Sequence, residues 1–141
     1  MARFYNVTGV RLFVADAPNG DWTELTDGEQ RTVRVVASDL QQARRACARI
    51  RARGEDVAVI LDITVAVAGD FRSARSVLGP AEHTVHYAGT IDGLAGLISD
   101  IARADVADGV TLISAFPRQD LRTLGRDLLR RLAAPDQQKA S

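Results

Sequence analysis

A carboxylate set inside an apolar run, a pair of histidines, and a glycine–threonine step ahead of a helix are the residues of this 141-residue chain whose types and spacing could do chemistry. Asp62 interrupts the run Val57 to Ala68, and a carboxylate buried there must find a partner or keep its proton. Pairing with an arginine is the commoner fate, and acid–base work is the alternative. His83 and His86 are the only histidines. Spaced i, i+3 around a strand, they point to opposite faces and make a poor metal pair. Either histidine near the end of a barrel strand is a candidate acid or base, His86 foremost together with Asp62, while an exposed or hydrogen-bonded histidine is the commoner case. Gly89-Thr90 precedes a helix whose free amides and dipole could hold a phosphate, although threonine in that place ordinarily serves as an N-cap. Ser114 and Phe116 follow the last strand. The sequence holds no dinucleotide or triphosphate loop, no zinc spacing and no Gly-x-Ser-x-Gly elbow.

The elements that must position these residues follow from periodicity. A strand is expected near Val10 to Ala15, and the stretch from Phe4 reads equally as part of it or as a tight hairpin around Thr8-Gly9. Asp16 to Asp21 is dense in turn formers and Thr23 to Gln30 reads as loop. Thr32 to Ala37 is β-branched and predicts a short strand. Ser38 then reads as the N-cap of a helix over Asp39 to Arg53, with Gln41 closing a capping box and Gly54 ending it. Leu40, Ala43, Cys47 and Ile50 form its apolar stripe. Val57 to Ala68 is nearly continuous in apolar residues, as in a strand covered on both faces. The pattern continues with a helix over Phe71 to Leu78, a strand over Thr84 to Tyr87, a helix from Ile91 to Ala104, a strand over Val110 to Ile113, and a helix from Arg118 to Leu132. Four βα pairs in succession predict an α/β fold with a parallel sheet of βα units, either a small open sheet or half of a TIM-like barrel. Residues 1–134 are expected to form a single domain, with 135–141 a flexible polar tail.

Composition narrows the function classes. Eighteen basic residues balance eighteen acidic ones, which removes the global electrostatic reason to expect a nucleic acid or an acidic membrane surface as partner. The lone Cys47 cannot form an internal disulfide and suits a reducing, cytoplasmic setting. No window approaches the ~20 apolar residues of a membrane span. Arg118, Arg122, Arg126 and Arg130 recur at helical spacing, but Asp120 and Asp127 among them make a solvated or interface stripe.

From Ser38 to Leu132 the order of segments resembles the C-terminal half of the luciferase-like monooxygenases, flavin- or deazaflavin-dependent (βα)8-barrel oxidoreductases. The residues that carry the likeness are Tyr87-Ala88-Gly89-Thr90-Ile91-Asp92-Gly93-Leu94 entering a helix and Ala107-Asp108-Gly109-Val110-Thr111-Leu112 opening the last strand. The resemblance implies FMN or a deazaflavin as cofactor, with Gly89, Thr90 and Ser114 at the cofactor, and the lack of a Cys/His cluster of zinc spacing leads to the expectation of no metal. The chain departs from the pattern at Ile91, where the family has proline, and at Gly93 and Gly96, where helix formers are expected. Such barrels run to about 250 residues, and nothing here corresponds to their N-terminal half. An open half barrel leaves sheet edges that isolated proteins avoid. A homo-oligomer, with a dimer the simplest, or a separate N-terminal-half protein is therefore expected to complete the sheet. Three readings are open at this point: a truncated luciferase-like flavoprotein, a non-catalytic α/β binding or assembly module without the cofactor, and an unrelated small α/β protein, which a topology without barrel-like curvature would establish. The substrate is not legible.

Overall fold

The longest strand organises everything else. In the computed structural model, which describes residues 10–15, 21–67, 84–115 and 120–133, it is β4 (Ala58–Val67). Earlier in the chain come β1 (Arg11–Ala15), β2 (Trp22–Glu24), β3 (Thr32–Val35) and helix α1 (Leu40–Ala52). Later come β5 (Val85–Gly89), α2 (Ile91–Arg103), β6 (Gly109–Ser114) and α3 (Leu121–Ala133). The strands form one sheet in the order β2-β1-β6-β4-β3, with β5 also paired to β4. Ten residues long, β4 gives one edge to β6 and shares the other: Ala58 to Leu61 pair with β3, and Ile63 to Val67 pair with β5.

Two features correct the expected parallel arrangement of successive βα units. The sheet is mixed, because β2 runs antiparallel to β1. The strand β6 does not follow β5 around the sheet but lies between β1 and β4. The β2 strand falls where the sequence reads as loop. Its three residues are too few to show alternation, and its pairing to β1 fixes it. The result is a mixed α/β fold with a curled, half-barrel sheet.

Alternation divides that sheet cleanly. Leu12, Val14, Val59, Leu61, Ile63, Val65, Val110 and Leu112 face the helices and form one core with Ala43, Cys47 and Ile50 of α1, Leu94, Ile98 and Ile101 of α2, and Leu124, Leu128 and Leu132 of α3. These are the apolar stripes read from the sequence. The other face carries Arg11, Phe13, Trp22, Glu24, Arg34, Ile60, Asp62, Thr64, His86 and Thr111, as the strand registers require. None of the described helices packs on that face through its buried residues.

The helix ends show where local chemistry decides. Asp39, not Ser38, is the N-cap of α1, accepting from the Gln42 amide at 2.8 Å, while the Ser38 amide donates to Gln42 Oε1. The box is thus displaced by one residue, with Asp39 and Gln42 taking the reciprocal places expected of Ser38 and Gln41. Gly54, at φ +75°, closes α1 by donating to the Arg51 carbonyl. Thr90 caps α2 through the Gly93 amide. The last helix begins at Leu121 behind Asp120, whose carboxylate accepts from the Thr123 amide and hydroxyl. The expectations for Phe4 to Gly9, His83, Phe71 to Leu78, Phe116, Arg118 and the 135–141 tail lie outside the described residues. Among the described residues no helix is long and apolar enough to cross a membrane.

Candidate functional site

On the helix-free face the polar groups sit in three layers set by strand register. Arg11, Gly109, Ile60 and Arg34 lie level across β1, β6, β4 and β3. Phe13, Thr111 and Asp62 form the next level, and Ala15, Ile113, Thr64 and His86 the one above.

Asp62 has no solvent exposure. Arg34 reaches it with both arms of the guanidinium, Nε to Oδ1 at 2.8 Å and Nη2 to Oδ2 at 3.1 Å. A bidentate pair of this kind supplies the hydrogen bonds that a desolvated carboxylate needs. The pairing reading of Asp62 is the one the geometry shows. While its edge is bound to Asp62, the Arg34 guanidinium also lies over Trp22, 4.8 Å from the ring centre, and Trp22 stacks on Phe13 at 4.1 Å with 20° between planes. Arg11 continues the stack beneath Phe13 at 5.5 Å. It is itself clamped to Glu24 by Nε and Nη2 at 2.8 and 2.7 Å, and donates to the Gln30 carbonyl at 2.6 Å. Burial pushes the Glu24 carboxyl up, but the hydrogen bonds from Arg11 and Thr26, the Arg11 charge and the Gly28 amide outweigh it and hold the carboxyl below its ordinary value.

Higher on this face, Thr64 and Thr84 share a hydroxyl hydrogen bond of 2.7 Å, and His86 Nδ1 lies 3.3 Å from the Thr84 carbonyl. Asp62 and His86 therefore share a face, one register level apart. Thr111, in register with Phe13 and Asp62, is fully buried, and its Oγ1 is the one such side-chain atom among the described residues with no hydrogen-bond partner.

Gly89, Thr90 and Ser114 are gathered at the carboxyl ends of the parallel strands, on either side of β4, since Gly89 pairs with Val67 and Ser114 with Val65. Strand alternation turns Gly89 and Ser114 to the helix side, away from Asp62 and His86. Thr90 Oγ1 accepts from the Gly93 amide at 3.2 Å, and Tyr87 donates its phenol to the Thr90 carbonyl at 2.9 Å. The phenol oxygen lies so close that a Cβ on Gly93 would stand 2.1 Å from it, and one on Gly89 2.5 Å. That packing explains Gly93 in a helix that expects better formers.

A cleft of about 340 Å³ opens elsewhere, between Val14, Ala15, Asp21 and Thr23 on the sheet and Asp120, Leu121 and Arg122 at the start of α3. It includes none of the expected catalytic or cofactor residues, but Asp120 and Arg122 belong to the stripe read from the last helix. Among the described residues no group of three metal-binding side chains comes together.

The sequence reading missed Arg11, Trp22, Glu24, Arg34 and Thr111. The available signal was alternation: Arg11 and Phe13, like Arg34 in Thr-Val-Arg-Val, stand at every second position of strands whose other face is aliphatic. Compared with known proteins, the chain matches no family model, and no curated protein matches it either.

Proposed function

We propose that the chain is a non-catalytic α/β binding or assembly module, one that keeps a half-barrel scaffold of the kind luciferase-like enzymes use but not the cofactor chemistry. The observation that carries this reading is the bidentate Arg34–Asp62 pair. The carboxylate best buried for acid–base work is held by a guanidinium, and Arg11 holds Glu24 in the same way. General acid–base catalysis needs a group free to exchange its proton with a substrate, whereas these pairs fix register and close the face. Helices on one side and a curled sheet support the partial-barrel scaffold. The outer edge of β3 and β5 pairs with no other described strand and offers backbone groups to a second copy of the chain or to a separate N-terminal-half protein.

One observation favours the alternative, a truncated luciferase-like flavoprotein binding FMN or a deazaflavin: Gly89, Thr90 and Ser114 share the carboxyl rim of the strands, where α/β proteins bind ligands. Light scattering with a full absorbance spectrum after incubation with FMN decides between the two. The module reading expects a colourless protein, a species larger than one chain, and no flavin-dependent oxygen consumption. A stoichiometric yellow complex that turns over a reductant overturns it.

A further inference from the structure

The zero net charge of the whole chain conceals a local excess. Helix α1 contains no acidic residue, and its Arg44, Arg45 and Arg49 are exposed, as is Arg53 at the C-cap. Elsewhere Arg11, Arg31, Arg34, Arg130 and Arg131 pair with carboxylates, and on the flank of α1 Arg51 pairs with Asp108. Arg44, Arg45, Arg49 and Arg53 pair with no carboxylate among the described residues. The acids that flank the helix are engaged: Asp39 caps it, Glu55 holds Arg31, and Asp56 accepts from Gln30. Arg45, Arg49 and Arg53 stand at i, i+4 and i+8, one row along the helix, and like charges at that spacing repel. The helix dipole favours cations at the carboxyl end, which helps Arg49 and Arg53 but not Arg45. What the row lacks is an anion from outside.

Resting on the binding-module reading, we propose that the exposed face of α1 docks a single-stranded nucleic acid by its phosphodiester backbone. Successive members of the row stand roughly 6 Å apart at Cβ, the order of the distance between neighbouring phosphates along such a strand. Each guanidinium then meets one phosphate, with forked donors that suit its oxygens, and Arg44 flanks the row for a fourth contact. Beside the arginines the surface is Gln41, Ala48 and Ala52, exposed and short enough for a backbone to approach. The same face has no large apolar side chain to enter a bilayer, which sets an acidic membrane aside. No aromatic residue stands on α1 to stack a base, so the strand is held by charge and not read by sequence.

The test is fluorescence anisotropy of a short labelled RNA of mixed sequence, titrated with the full chain between about 50 and 200 mM salt. Three or four phosphate contacts predict a slope of log K against log salt of about −2 to −3. The triple variant Arg45→Gln, Arg49→Gln, Arg53→Gln is expected to keep its melting temperature, because these side chains bury nothing, and to bind at least about tenfold more weakly at the low-salt end. Arg49→Gln alone should lower the slope by about 0.7. The control Arg103→Gln, Arg122→Gln, Arg126→Gln removes the same charge from α2 and α3 and is expected to bind as wild type does. No binding at low salt overturns the inference, as does a row variant that binds as well as wild type or a control that loses as much as the row variant. Tighter binding to poly-glutamate or to phosphatidylserine vesicles than to RNA also overturns it and gives the face to an acidic protein or a membrane. All of these results leave the module reading standing, since that reading falls only with flavin turnover.

Discussion

Arg34 and Trp22 stand on the two opposite edge strands of the sheet, β3 and β2, and yet the guanidinium carbon lies 4.8 Å from the centre of the indole ring. In a flat sheet four strand spacings would separate their backbones by roughly 19 Å. The contact is possible because the sheet curls, and it closes the concave face with the molecule's own side chains. A barrel interior of this kind is a packed core rather than a pore.

Removing the clasp should cost stability. Trp22→Ala loses the stack on Phe13 and the cation–π contact with Arg34, together about 2 kcal/mol. Urea denaturation followed by far-UV circular dichroism should show the lower midpoint, and a midpoint equal to wild type would mean the clasp does not hold the sheet.

The buried pair should behave asymmetrically. Arg34→Met alone leaves Asp62 without its main counter-charge and is expected to destabilise by about 3–5 kcal/mol. The double variant Arg34→Met, Asp62→Leu should recover most of that loss, because an apolar pair needs no compensation. A double variant as unstable as the single one would place the role of Asp62 elsewhere than in this pair.

Glu24 sets an acid dependence. Its folded-state carboxyl lies below the 4.5 of an ordinary glutamate: burial pushes it up, but the Arg11 and Thr26 hydrogen bonds, the Arg11 charge and the Gly28 amide pull it further down. The unfolded chain therefore binds the proton more readily than the native one. The contribution of Glu24 is complete above its unfolded value and is lost as pH falls through the lower folded value. Denaturant midpoints from pH 6 to pH 3 should drop less steeply in Glu24→Gln than in wild type, and parallel profiles would contradict the assignment.

The two helix glycines of α2 should respond differently to alanine. Gly96 has open space around its Cβ position, so Gly96→Ala is expected to stabilise by about 1 kcal/mol. At Gly93 the new methyl would meet the Tyr87 phenol, so Gly93→Ala should be at least ~1 kcal/mol worse than Gly96→Ala, with the Tyr87–Thr90 bond the expected casualty. Thermal melts of the two variants, with Gly93→Ala repeated in a Tyr87→Phe background, test the pairing; equal melting temperatures would refute it.

Cys47 should be inert in the folded protein. It is 1% exposed, and burial pushes its thiol up, with Asp108 and Asp105 adding to the shift against the opposing Arg51 guanidinium. Labelling by a disulfide reagent at pH 8 should proceed only at the rate of opening and become rapid in denaturant. Fast labelling of native protein would show the α1 interface to be loose.

What the sequence determined by itself is what local chemistry can encode. The 3.6-residue stripes of Ala43, Cys47 and Ile50, of Leu94, Ile98 and Ile101, and of Leu124, Leu128 and Leu132 gave three helices and the faces they bury. The aliphatic run around Asp62 gave the central strand, and Gly54 and Thr90 gave two helix ends. Periodicity says which face of an element is apolar, but it carries no information on which strand lies beside which. Tertiary structure alone decided that β6 inserts between β1 and β4, that three residues around Thr23 become an edge strand, and that Trp22 meets Arg34 across the curl. Asp62 shows the division most clearly. Its place in an apolar strand required a partner, and only the parallel pairing of β3 with β4, a contact 28 residues away in sequence, named Arg34.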